Sequence, residues 1–169
     1  MKIIEALKEV KRLEEKIKDL NVKIFTFCSD LDIENPVYPD QKGQVNSWLQ
    51  SVHDTLKEAT RLRLAIQQTN LTIKVPIELG TEKVVHSISE WIIRRRLYAK
   101  AEMESWANLT DRQLRDGMFK NSSGQDIMVK VRRYYDPLEK DKRIEIYRSE
   151  PGIIDRTLEI INATTDLIE

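Results

Sequence analysis

The sequence predicts a mainly α fold: an antiparallel helical bundle of coiled-coil hairpins, with a small antiparallel β-hairpin of two or three short strands before the last helix. Three observations carry that reading. An apolar seam repeats at alternating steps of three and four through the first 27 residues, a wide apolar arc recurs at helical spacing over 82–107, and a turn-rich stretch with alternating apolar residues precedes a final helical stripe. With 169 residues and 40% apolar content the chain can bury one substantial core, so a single domain over 1–169 is expected.

The first helix, about 2–27, follows from Ile3, Ala6, Val10, Leu13, Ile17, Leu20, Ile24 and Phe27, a seam sustained over more than three heptads. On its outer face Lys11 with Glu15, Glu14 with Lys18 and Asp19 with Lys23 stand one turn apart. Such pairs add about 0.2–0.5 kcal/mol each and mark a solvated face. Pro36 and Pro39 then break the helical pattern, so CSDLDIENPVYPDQK is a loop that turns the chain back. Asp30, Asp32 and Glu34 have a calcium-like spacing, yet the glycine and late bidentate glutamate of a calcium loop are missing, and no metal is assigned. Val45, Leu49, Val52, Leu56, Ala59, Leu62 and Ile66 form the stripe of a second helix, about 44–70, antiparallel to the first.

LTIKVPI alternates as a short extended segment limited by Pro76 and available as a third strand. Gly80 breaks the chain, and Thr81 is placed to cap a third helix, about 82–107. Val85, Ile88, Ile92, Ala99, Met103 and Trp106 make one side of that helix, and Val84, Trp91, Tyr98 and Ala101 widen the apolar arc, which predicts a position at the centre of the bundle. The Asn-Ser-Ser-Gly cluster after it should be an exposed loop. IMVKVRRYYDPLEKDKRIEIYR reads as a β-hairpin over about 127–148, joined through Asp136 and Pro137. Ser149 and Pro151 open the last helix, about 150–168, whose stripe is Ile154, Leu158, Ile161, Thr165 and Ile168.

IQQTN at 66–70, SISEWIIRRRLYAKAE, a Tyr-rich strand and a closing INATTDL at 161–167 together resemble an uncharacterised family of small bacterial coiled-coil proteins, some of which carry the label septicolysin. The resemblance runs from the first helix to the last and departs at the loop around 120–125 and in the proline-rich first turn. It implies helical hairpins with a small β element and brings no established activity. The label suggests a pore former, but no stretch here is long and apolar enough to insert as a helix, and the few short strands do not suit a barrel.

Charge and cysteine usage narrow the function. Lys plus Arg and Asp plus Glu number 28 each, which leaves no net field to attract nucleic acid or an acidic membrane. Arg94, Arg95 and Arg96 form a basic run, and Arg132 and Arg133 stand beside Tyr134 and Tyr135 as in some RNA-binding strands. Yet 127–148 holds seven basic and four acidic residues against one and five in 149–169, so the two stretches can neutralise each other. Three consecutive helical arginines also point about 100° apart and form no single patch. Cys28 is the only cysteine, which excludes an internal disulfide and suits a reducing compartment. The N-terminus has no secretory h-region, no run reaches a membrane span, and the acceptor-like triplets at Asn70, Asn108, Asn121 and Asn162 are read as chance matches.

His53 and His86 lie apart with no metal-ligand or triad spacing. No catalytic residue, metal, cofactor or small-molecule substrate is therefore assigned. The pattern supports a non-catalytic structural or assembly subunit, cytoplasmic in a bacterium or part of a virion, that binds itself and other proteins through helical seams. A phage head or tail component is the concrete form expected, and a free-standing bacterial cytoplasmic oligomer is the alternative. A nucleic-acid-binding module and a pore-forming toxin stand behind both. The interaction residues expected are Ile3, Val10, Leu13, Ile17, Leu20 and Ile24 on the seam, with Arg94, Arg95, Arg96, Arg132, Arg133, Tyr134 and Tyr135 elsewhere.

Overall fold

The computed structural model describes residues 1–168. It is mainly helical, with two small antiparallel two-stranded sheets. Within the stretch read from sequence as one domain, contacts gather into two compact units, 1–73 with the residues from 158 onward, and 74–157.

In the first unit, α1 (Ile3–Phe27) and α2 (Gln41–Thr72) form a hairpin because the α1 seam finds its partner within the chain. Ala6, Val10 and Leu13 of α1 share one apolar cluster with Ala59, Leu62 and Ile66 of α2. Asp40 caps α2 by accepting the Gly43 N–H at 2.8 Å, and a Cβ on Gly43 would collide with that carboxylate, so glycine keeps the cap in place. Phe27, Tyr38 and Trp48 close the loop end, with ring centroids 5.5–5.7 Å apart. At the opposite end the C-terminal residues strap the helices together: Leu167 N–H donates to the Met1 carbonyl, Ile3 N–H to the Thr165 carbonyl and Ile168 N–H to Thr69 Oγ1.

The second unit begins with β1 (Lys74–Leu79) and β2 (Glu82–Ser87), which pair from Lys74↔Ser87 to Leu79↔Glu82. The helix expected over 82–107 therefore starts six residues late. Gly80 and Thr81 form the two-residue turn of this hairpin, and Gly80 sits at φ +63° as the first central residue of such a turn demands. Ser87 is the true cap of α3 (Ile88–Ile93): it accepts the Glu90 N–H, while the Glu90 carboxylate accepts the Ser87 N–H at 2.6 Å. A π-turn over Arg94–Tyr98 comes next, and the chain continues as α4 (Ala99–Ala107). Trp91, fully buried, is the anchor of this stretch, and its indole donates to the Val75 carbonyl at 2.8 Å. Ile92, assigned to the centre from sequence, is half-buried, and Val85 is 55% exposed.

The hairpin expected over 127–148 is also displaced. Its strands are β3 (Gly117–Lys120) and β4 (Asp126–Val129), turned by the Asn-Ser-Ser-Gly cluster, where Asn121 Oδ1 accepts the N–H groups of Ser123 and Gln125. Residues from Pro137 onward belong instead to α5 (Pro137–Thr164), so the last helix begins well before 150 and passes through Pro151. Asp136 starts it, accepting the Leu138 N–H through its side chain and the Lys140 N–H through its carbonyl, with Pro137 next and Glu139 in the first turn. Ile144 and Ile146 alternate in sequence, but Arg143, Ile146 and Glu150 also fall on one helical face, and the strong start signal decides in favour of helix.

The β2–α3 junction and its anchor can each be tested by one substitution. Trp91→Ala should lower the stability of this unit by about 3–5 kcal/mol in urea unfolding, as loss of a buried aromatic does, with Ile92→Ala costing less. The Glu90 carboxyl, bonded first by the Ser87 amide, then by the Ser87 hydroxyl and Lys74, is lowered from 4.5 to about 2. A depressed folded pKa gives stability that is present above about pH 4.5 and lost as pH falls towards 2. Glu90→Gln should flatten stability against pH across that window, read by urea melts at a series of pH values.

Candidate functional site

Two arginines of the second unit, Arg94 and Arg95, pair with carboxylates of α5. Arg94 donates from Nε to Oε1 of Glu150 and from Nη2 to Oε2 of Glu150 at 3.1 Å, and Nη2 also reaches Glu102 at 2.8 Å. Glu150 has no exposed surface and is held by this fork. Burial alone would lower the Arg94 pKa, but Glu150 and then Glu102 more than offset it, and the guanidinium is held above its ordinary value. The neighbouring Arg95 pairs with Asp155, five residues along α5 from Glu150. Ala99 N–H bonds back to the Arg94 carbonyl across the π-turn, whose widened winding lets two adjacent arginines both reach one helix. Farther along, the Arg143 guanidinium lies 5.9 Å from the Trp106 ring, and Lys140 donates to the Leu109 carbonyl.

Beside this network a cleft of about 540 Å³ lies between the Gly80 turn and α5. Arg94, Lys142 and Arg143 line it together with Glu82, Glu139 and Glu150. Its charges balance, and Arg143 stands 3.7 Å from Glu139. The hairpin approaches the helix at Gly80, where an added Cβ would meet Ile146 Cδ1 at 3.3 Å.

A second cluster lies at 109–135. Asp111 accepts from Arg133 at 2.7 Å and 2.5 Å and from the Tyr135 hydroxyl at 3.0 Å, so its carboxyl is lowered, chiefly by the Arg133 hydrogen bonds. Arg112 and Gln113 come next with φ of 53° and 63°, left-handed positions that side chains adopt at a cost of about 1–3 kcal/mol each. Beside this loop the β3–β4 hairpin leaves Met118, Phe119, Ile127, Met128 and Val129 exposed.

The residues singled out from sequence do not meet in one place. Ile3, Val10, Leu13 and Leu20 are buried in the chain's own hairpin, and Ile17 and Ile24 are half-buried on the same seam. Arg94 and Arg95 lie against α5, whereas Arg96 is exposed. Arg133 and Tyr135 are tied to Asp111, while Arg132 and Tyr134 face outward, Tyr134 at 88% exposure. Sequence reasoning missed the acceptors Glu102, Glu150 and Asp155, which only the folded contacts of Arg94 and Arg95 reveal. It also placed Leu49 and Leu56 in the core of α2. The α2 core face is instead Trp48, Thr55, Ala59, Leu62, Ile66 and Thr69, and Leu49, Leu56, Leu64 and Leu71 are left outside as a second stripe.

No family model and no curated protein matches the sequence. Among solved structures the chain is similar to a functionally unknown conserved protein from Corynebacterium diphtheriae, at 16% identity over 99% of each chain with a TM-score of 0.57. That likeness is one of fold.

The Arg94–Glu150 fork gives a direct test. Arg94→Met strands a buried carboxylate and should destabilise by about 3–5 kcal/mol in denaturant melts. Adding Glu150→Leu in the same chain should restore much of the loss, because it removes the uncompensated charge.

Proposed function

We propose that the chain is a non-catalytic assembly subunit that works by binding copies of itself and other proteins. The observation that carries this reading is apolar surface left uncovered within each unit, the Leu49–Leu71 stripe in the first and the β3–β4 hairpin in the second. A two-stranded hairpin is at best marginal alone in water, so exposed apolar side chains on both of its strands favour a partner there. The basic residues support protein contacts over nucleic acid, since Arg94, Arg95 and Arg133 are each paired with carboxylates.

The phage head or tail component and the free-standing bacterial oligomer share this chemistry. Crosslinking in the native source followed by mass spectrometry separates them: crosslinks to capsid or tail proteins mark a virion part, and crosslinks among identical chains alone mark the free-standing oligomer. A chain that crosslinks to nothing and runs as a monomer in light scattering would overturn the assembly reading. Affinity for RNA or DNA that is measurable at physiological salt and falls steeply with added salt would favour the nucleic-acid alternative instead.

A further inference from the structure

We propose that the free edge of β4 pairs antiparallel with the β4 edge of a second copy, across a two-fold axis at Met128, to give one four-stranded sheet. This rests on the assembly reading above and names the partner, the strand and the register.

The turn fixes which backbone groups are left over. Asn121 N–H donates to the Gln125 carbonyl at 2.9 Å and Gly124 N–H to the Asn121 carbonyl at 3.0 Å, with Gly124 at φ +77°, so the hairpin closes on a hydrogen-bonded Asn121–Gln125 pair. Bonded and non-bonded pairs alternate along an antiparallel ladder. With Lys120 opposite Asp126, Phe119 opposite Ile127, Met118 opposite Met128 and Gly117 opposite Val129, the bonded pairs are Phe119–Ile127 and Gly117–Val129. The amides and carbonyls of Asp126 and Met128 therefore point away from β3. Among the described residues the sheet has no third strand to receive them, and every residue of β4 is exposed.

The side chains identify the occupant. Asp126, Met128 and Lys130 alternate onto one face of the strand, and a two-fold axis through Met128 sets Asp126 of each copy opposite Lys130 of the other. These are also the positions whose amides and carbonyls point outward, so the register that the charges select is one that the free backbone groups can bond. Continued one place past the strand ends, the hairpin register sets Lys130 opposite Asp116, whose Oδ1 accepts the neighbouring Val131 N–H at 2.7 Å. Across the four strands the row Lys120, Asp126, then Lys130 and Asp116 of the second copy alternates in sign throughout. A two-fold interface requires such self-complementarity.

Between the charged rows Met118 and Met128 of both copies make one apolar row, and on the other face Ile127 of each copy meets Val129 of the other, a β-branched pair made twice. A parallel neighbour in register would stack Asp126 on Asp126 and Lys130 on Lys130. The charges that guard this edge against indiscriminate pairing thus admit the two-fold partner. The β3 edge has a similar charge order about Met118, but Gly117 supplies no side chain to pack and weakens that strand. Pairing through β4 turns a two-stranded sheet, marginal alone, into a four-stranded one.

The full chain is tested at rising concentration, because a seam of a few residues belongs to the small, weak class of interfaces. Sedimentation velocity should show a monomer–dimer equilibrium. Met128→Pro removes an outward amide and no bond of the hairpin itself, so it should weaken the dimer by roughly tenfold or more, whereas Met118→Pro, which does the same to the β3 edge, should leave it intact. Asp126→Lys and Lys130→Asp chains should each dimerise poorly alone and about tenfold more tightly when mixed, since only the mixed pair sets opposite charges face to face. Met128→Cys combined with Cys28→Ser should oxidise to a disulfide-linked dimer, because the two Cα atoms of a bonded pair stand about 5.5 Å apart, within disulfide range. A dimer that survives Met128→Pro or is lost as readily with Met118→Pro, charge variants that gain nothing on mixing, or a cysteine variant that fails to crosslink overturns this surface and leaves the assembly reading standing. A monomeric wild-type chain that crosslinks to other proteins likewise overturns this dimer alone. A monomer that crosslinks to nothing overturns both.

Discussion

A carboxylate with no exposed surface constrains the second unit more than any apolar contact does. Taking Glu150 out of water is tolerable only while a cation is fixed against it, and Arg94 supplies that cation through two bonds. The other features of the unit serve this pairing. The π-turn sets the winding that lets Arg94 reach Glu150 while Arg95 reaches Asp155. Pro151 has no amide to offer the Tyr147 carbonyl one turn back, so α5 is weakest along its length just where Glu150 is anchored. The ion pair and the Glu102 contact stitch the helix at that turn. The β1–β2 hairpin then closes over it, with Ile146 packed beneath a glycine that cannot be replaced without crowding.

The first unit rests on apolar complementarity instead, and α2 carries apolar residues on two faces. Trp48 and Leu49 are adjacent in sequence, as are Thr55 and Leu56, and each pair straddles the boundary between the buried face and the outer one. The α1 seam takes the face that begins at Trp48. Once it has done so, the strong heptad of α1 is consumed inside the chain, and the residues Ile3, Val10, Leu13 and Leu20 have no surface left to offer a partner. A seam found in a sequence thus predicts that something packs on it, without saying whether that is the chain itself or another copy.

The helical class, the antiparallel α1–α2 hairpin and the loop around Pro36 were legible because each rests on many residues agreeing on one period. The boundaries that went astray rest on single side chains that carry two meanings. Asp136 and Pro137 serve a turn as well as a helix start, and only the acceptor geometry of Asp136 towards Leu138 and Lys140 separates them. Thr81 looks like the cap of a helix starting at Glu82, yet the Ser87 and Glu90 capping box, visible in SISE, is the stronger signal and sets the true start of α3. The apolar arc from Val84 to Trp91 satisfies both periods, and the two-residue Gly80 turn decides for strand. The Arg94–Glu150 pairing was not legible, since it joins residues 56 positions apart and depends on how α3 to α4 pack against α5.

The two units leave apolar side chains uncovered in different ways. Within the first unit the leucine stripe of α2 is interrupted by His53, Thr60, Arg63 and Gln67, so no broad continuous apolar patch is left in water there. The β3–β4 hairpin belongs to the other unit and shares no residue with that stripe. Its side chains are apolar on both strands, and a two-stranded sheet has only edges, so it is the element with most to gain from a neighbouring strand or helix.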